Sequence, residues 1–258
     1  MDGLIVISVL LMLLFVFLKK KVFGVFAWIT FGFAWIFNLP YYLGIGDYFN
    51  AIIVFLAFAF FNLLGLTIAK EREFDVFVKV TAFSALAALI YFPFALDEGL
   101  KEMLIGVVIN HTVWLGNLLG FPLTYHDTKI MLNDKVVKII LACTGIESMA
   151  LFGGVTLAIK ADFKRNLKAF LASVPTIYVL NLFRNVFVMV SYGYSWFGEN
   201  SFYIAHHVIS KFLATLALIL ISLAVFRIIP ELADLIYDLK DVMVESWSKR
   251  NVEVKIAR

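Results

Sequence analysis

Between Tyr48 and Ala69 the chain carries no charged side chain, and stretches of this kind recur along most of its length. A helix crossing a bilayer needs about 20 mostly apolar residues, because the hydrocarbon layer is about 30 Å thick. Seven segments meet this pattern: 3–18, 22–46, 48–69, 80–96, 146–159, 169–194 and 204–226. Three of them contain a single charge: Glu147, Arg184 and Lys211. Another apolar stretch, 103–125, is interrupted by Asn110, His111 and Asn117. Composition agrees: 62% of residues are hydrophobic and 16% charged, against roughly 45–50% and 25% in soluble domains. One soluble core would not bury this excess, so the chain reads as integral to a membrane.

The net charge of +3 is spread over short connections, with no basic block of the kind that binds nucleic acid. A single cysteine, Cys143, excludes an intramolecular disulfide and a multi-cysteine metal site, but leaves a reactive thiol open. The first apolar run is followed by Lys19–Lys21 with no small-residue cleavage site, so it reads as an uncleaved helix. No cofactor motif is present, and the four histidines lack a metal-ligand spacing.

Basic connections belong in the cytoplasm. These are Lys19–Lys21, Lys70-Glu71-Arg72 and the segment KADFKRNLK at 160–168, joined by the C-terminal tail. The expected orientation has the N-terminus outside and the C-terminus inside. The 103–121 stretch then makes no net crossing and reads as an outer interfacial or re-entrant helix. Residues 124–142, TYHDTKIMLNDKVVKIILA, hold two β-branched-rich runs around the turn pair Asn133-Asp134 and predict a small extracytoplasmic β-hairpin. The expected fold is an all-α polytopic membrane protein of about seven spans with these two outer elements. Residues 1–228 read as one transmembrane domain with a core from about 100 to 225. In the tail, 229–258, Leu232, Leu235, Ile236, Leu239 and Met243 recur at helical intervals. That tail is expected to solubilise the helical end, to lie on the membrane surface or to bind a partner.

Polar chemistry gathers at three places. LACTGIESMALFGG, 141–154, opens an apolar helix with Cys143 and Glu147. Thr144-x-x-Glu147 fits a capping box, which is one account of Glu147; a chemical role is the other. The helix dipole favours a thiolate at Cys143. Arg184, in NLFRN between Asn181 and Asn185, lies roughly 15 Å from its helix end at about 1.5 Å per residue. An arginine there must face the bundle and have a partner, either Glu147 in a structural ion pair or a group in a site. His206 and His207, in AHHVISK, open the last span after an outer loop; His111 and His126 are also expected outside. A thiol, an imidazole and a guanidinium are the parts of cysteine acyl transfer: nucleophile, acid/base and anion stabiliser.

These residues resemble the exosortase/archaeosortase family of membrane cysteine transpeptidases. The likeness covers about 100–225 and rests on Gly120-Phe121-Pro122, the hairpin, ACTGIES, NLFRN and AHHVISK, in the order Cys, Arg, His. The resemblance implies that Cys143 is the nucleophile, Arg184 the anion stabiliser and His206 the acid/base. His207, Glu147, Asn181, Asn185 and Thr144 are supporting candidates. It implies substrates with a C-terminal signal made of a short motif, a transmembrane helix and a basic cluster. It also implies an acceptor for the new C-terminus, a membrane lipid in archaeal members, and a compact member without a soluble extension. The rival reading is a transporter or channel with Arg184 and Glu147 lining a polar path, though no inverted repeat is visible.

Overall fold

The structure, a computed structural model, describes residues 2–256, with side chains from 3 to 248. It is helical apart from one small sheet. The chain forms α1 (Asp2–Leu18), α2 (Lys21–Ile36), the short α3 (Leu39–Gly44), α4 (Tyr48–Lys70), α5 (Asp75–Leu96) and α6 (Glu98–Leu118). The strands β1 (Thr124–His126), β2 (Lys129–Leu132) and β3 (Lys135–Lys138) follow. Then come α7 (Ile146–Ala158), α8 (Phe163–Gly193), the one-turn α9 (Ser201–Tyr203), α10 (Ser210–Ile228) and α11 (Pro230–Ile256).

Seven spans were expected, and five helices are long and apolar enough to cross a membrane: Lys21–Gly44, Tyr48–Lys70, Asp75–Leu96, Phe163–Gly193 and Gly198–Ile228. The other two, Gly3–Leu18 and Ile146–Ala158, are apolar but shorter. The 13 residues of α7 reach only about 20 Å at 1.5 Å per residue. Its N-terminal approach is made by a 3-10 turn, Leu141–Cys143, instead of further helix. The 103–121 stretch, expected as an outer interfacial or re-entrant helix, lies mostly in one unbroken helix, α6, which is not among the five long and apolar enough to cross. Glu98, Lys101 and Glu102 crowd its first turns. Further along, the same side of the helix is buried through Ile105, Val108, Ile109 and Val113, in one cluster with Leu182, Val186 and Met189 of α8.

The expected hairpin is a three-stranded antiparallel meander, β1-β2-β3. The turn at Asn133-Asp134 joins Leu132 to Lys135, and a second turn at Asp127-Thr128 joins His126 to Lys129. Asp127 and Asn133 take left-handed backbone, φ 52° and 53°, which short polar side chains tolerate. The second turn escaped sequence reading because β1 has three residues, too few to show alternation. Ile130 and Leu132 point into the helix cluster and are fully buried. Asn133 donates its side-chain amide to the Gly193 carbonyl at 3.0 Å, tying the sheet to the end of α8. A side chain at Gly193 would meet Leu132 at 2.6 Å, so that contact requires glycine.

Two compact units divide the chain: residues 1–88 with 231–258, and residues 89–230. In the first, Met12, Phe15, Trp28, Leu64, Ile68 and Phe77 form the core, and α11 adds Leu235 with Leu239, Val242 and Met243 beside it. Trp247 donates to Thr67 at 3.0 Å, and Lys70 lies 3.2 Å from the centre of its ring. Leu235, Leu239 and Met243 of the tail's apolar stripe are thus covered by their own chain, whereas Ile236 stays exposed. Every candidate site residue lies in the second unit.

Candidate active site

Cys143 closes the 3-10 turn that leads into α7, and it is half-buried. The turn and the helix meet at Gly145, whose φ of 78° lets the chain change direction. The capping box is not formed. Gly145, not Thr144, is the cap residue, and the buried Thr144 hydroxyl donates to Leu141 O at 2.7 Å and accepts from the Ile146 amide at 3.3 Å. Glu147 instead accepts from the Tyr91 hydroxyl at 3.4 Å on an exposed face. A left-handed residue between Thr144 and α7 moves the cap one position along, which breaks the spacing a capping box needs.

The long helix α8 organises the rest. Asn181 and Asn185, one turn apart, both donate side-chain amides to the Cys143 carbonyl, at 2.7 and 3.0 Å. Both are buried, at 9% and 6% exposure, so neither has water to fall back on. Between them in sequence, Arg184 reaches His206, with its guanidinium Nη2 3.3 Å from the imidazole Nε2. Arginine has donors only, so Nε2 is the acceptor and the neutral ring carries its proton on Nδ1. The partner of Arg184 is therefore an imidazole and not Glu147. Among the described residues no carboxylate lies at ion-pair distance from it.

His206 sits in a π-helical turn, Ile204–Ile209, where the wider coil brings neighbouring side chains closer in angle. Its ring stacks on Phe202, centroids 5.2 Å apart and planes 12° apart, and His207 lies 4.6 Å away edge-on. On an α-helix the two histidines would point about 100° apart. The π turn lets both border one cavity, while only His206 is bonded to Arg184.

That cavity has a volume of about 210 Å3 and is bordered by Cys143, Asn185, Phe202, His206, His207 and the end of β3 with Lys138 to Ile140. The fold thus brings Cys143 and His206 to one space, with Arg184 bonded to His206 from α8. Glu147 borders neither this cavity nor the one beside Arg184. His111 is bonded elsewhere, to the Tyr178 hydroxyl at 2.6 Å, and His126 lies on the exposed sheet beside Asp127. Sequence reading missed Phe202 and Tyr91. The first was legible as an aromatic four residues before His206; the second depends on a contact 56 residues away.

Comparison with known proteins points one way. The transmembrane exosortase family (Exosortase_EpsH) matches residues 1–224. Archaeosortase A of Natronomonas pharaonis is 26% identical over 66% of this chain, and the match spans 64% of that protein, less than two thirds of its length. Archaeosortase A of Haloferax volcanii is 26% identical over 82% of each chain. No solved structure matches.

Proposed function

From the membership of this chain in the transmembrane exosortase family, we propose that it is a membrane cysteine transpeptidase acting on C-terminal sorting signals of surface proteins. The signal would comprise a short motif, a transmembrane helix and a basic cluster. The observation that carries this reading is the convergence on α8: one helix holds the Cys143 backbone through Asn181 and Asn185, and holds His206 through Arg184.

In the proposed reaction the Cys143 thiol gives its proton to His206, and Sγ bonds to the carbonyl carbon of the scissile peptide. His206 Nε2 is free to take that proton only when Arg184 leaves it. The developing oxyanion is the group to which a guanidinium would move, so proton uptake and anion stabilisation are coupled through one side chain. The C–N bond then breaks, His206 returns the proton to the leaving amine, and a thioester to Cys143 remains. An acceptor hydroxyl or amine, carried by a membrane lipid, loses its proton to His206 and attacks the thioester. The C–S bond breaks and the thiol is restored. No metal or other cofactor takes part in this scheme.

The site is proposed to face the outside. Within the second unit, Arg165 donates to the Ile228 carbonyl at 2.9 Å, which joins the start of α8 to the end of α10. That end carries Lys160, Lys164, Arg165, Lys168 and Arg227, and the positive-inside rule assigns it to the cytoplasm. The sheet and the Cys143 cavity lie toward the other end of α8.

The test is mass spectrometry of a surface protein with such a tail, expressed with the wild-type enzyme and with Cys143→Ala. A shortened C-terminus bearing an adduct only with wild type is the expected result. Processing that continues in the variant overturns the cysteine mechanism.

A further inference from the structure

Arg184 also borders a second, larger cavity, of about 410 Å3, between α7, α8 and α10. Its walls are apolar: Leu180, Phe183 and Phe187 from α8, and Leu213, Ala217 and Ile221 from α10. Leu180, Phe183 and Leu213 are about half exposed, so the groove opens sideways, toward lipid. Polar groups gather at one end, where α7 and α10 begin: Ser148, Asn181, Arg184 and Ser210.

One of these groups is unsatisfied, and another carries a charge with no anion beside it. Ser210 is 2% exposed, and its hydroxyl has no hydrogen-bond partner among the described residues. Arg184 has His206 on one side and no carboxylate at ion-pair distance among the described residues. Buried polar atoms in native proteins are almost always paired, and arginine inside a span takes an anionic or polar partner. A groove that is apolar along its length, with a cation and a free hydroxyl at its head, is complementary to an anionic amphiphile.

We propose that this groove is a phospholipid site, with the phosphate against Arg184 and Ser210 and one chain lying between α8 and α10. The volume suits such an occupant: it falls within the roughly 300–1,000 Å3 of small-molecule sites. A membrane-spanning helix, about 10–12 Å across and 30 Å long, is far too large for it. Free phosphate would leave the apolar walls unused. The inference concerns binding and does not depend on the transfer chemistry. If that chemistry holds, the lipid head lies beside the guanidinium that also contacts His206.

The test uses the whole protein in nanodiscs containing phosphatidylglycerol with a diazirine in one acyl chain, irradiated and mapped by peptide mass spectrometry. Label is expected to concentrate on 177–187 and 210–221. Diacylglycerol carrying the same chain is expected to label those segments at least about tenfold less. Filling the wall by Ala217→Trp, or more gently by Ala214→Leu, should reduce the labelling several-fold, and Ser210→Ala should narrow the preference over diacylglycerol. Uniform labelling of all lipid-facing helices, equal labelling by diacylglycerol, or competition of free phosphate for the site would overturn the proposal. So would cross-linking of a sorting-signal helix to these positions in place of lipid. Cys143→Ser should label like wild type while processing stops, so failure of either reading is visible without the other.

Discussion

At the scale of single residues, the two adjacent histidines give the sharpest contrast. Both border the Cys143 cavity, but His206 alone bonds Arg184 and stacks flat on Phe202. Replacing His206 by alanine removes the proposed proton carrier, and general acid–base groups contribute about 10²–10⁴-fold. Signal-cleavage rates measured on a purified substrate should fall by at least about 100-fold for His206→Ala, and by under about tenfold for His207→Ala. The reverse order would transfer the role to His207. Arg184→Lys keeps the charge but loses the planar fork that reaches His206 and an oxyanion together. A fall of about 10²–10³ in kcat with little change in KM is expected, since one lost oxyanion donor has that cost.

At the scale of elements, α8 and the turn before α7 act as one clamp. The Cys143 carbonyl takes two amide donors from successive turns of α8. Each neutral hydrogen bond contributes on the order of 1 kcal/mol. Asn181→Ala and Asn185→Ala should each lower Tm by a few degrees. In a double-mutant cycle their effects should be non-additive, because the two share an acceptor. Strict additivity would mean the two amides do not hold the same carbonyl. Gly145 is a second fixed point. Alanine there must adopt φ 78° and press its Cβ to 3.2 Å from the Asn181 side chain. The left-handed conformation alone costs roughly 1–2 kcal/mol. Gly145→Ala should therefore weaken the clamp and slow alkylation of Cys143 by a small maleimide; an unchanged rate would show that the turn does not position the thiol.

At the scale of the whole molecule, orientation decides whether the site can meet surface proteins. In a Cys143→Ser background, a cysteine placed at Thr128 in the sheet turn should react with a membrane-impermeant maleimide in intact cells. A cysteine at Asp162, before α8, should react only after lysis. The opposite pattern would invert the topology and remove access to surface proteins. The tail makes a separate prediction. Trp247 joins Thr67 and Lys70 within the first unit, and a cation over tryptophan contributes about 0.5–1 kcal/mol where exposed. Trp247→Ala should free α11 to limited proteolysis while leaving Cys143 alkylation unchanged.

What the sequence by itself determined is the part governed by local chemistry. Apolar runs and scarce charge established a helical membrane protein. The rarity of an arginine in a span and of a lone thiol at a helix mouth marked Arg184 and Cys143, and NLFRN already held the two asparagines. Tertiary structure decided the partners. Glu147 and Arg184 are both the ionisable groups of apolar helices, and sequence offered them to each other; packing gave Glu147 to Tyr91 and Arg184 to His206. A positive φ at Gly145 and a π turn at His206 lie beyond any periodicity argument. Each is one extra or displaced residue, set by how the chain packs against neighbouring helices and not by a repeat in the sequence. The groove at Ser210 is of the same kind: the hydroxyl is ordinary in sequence, and only the approach of α8 to α10 leaves it buried without a partner among the described residues.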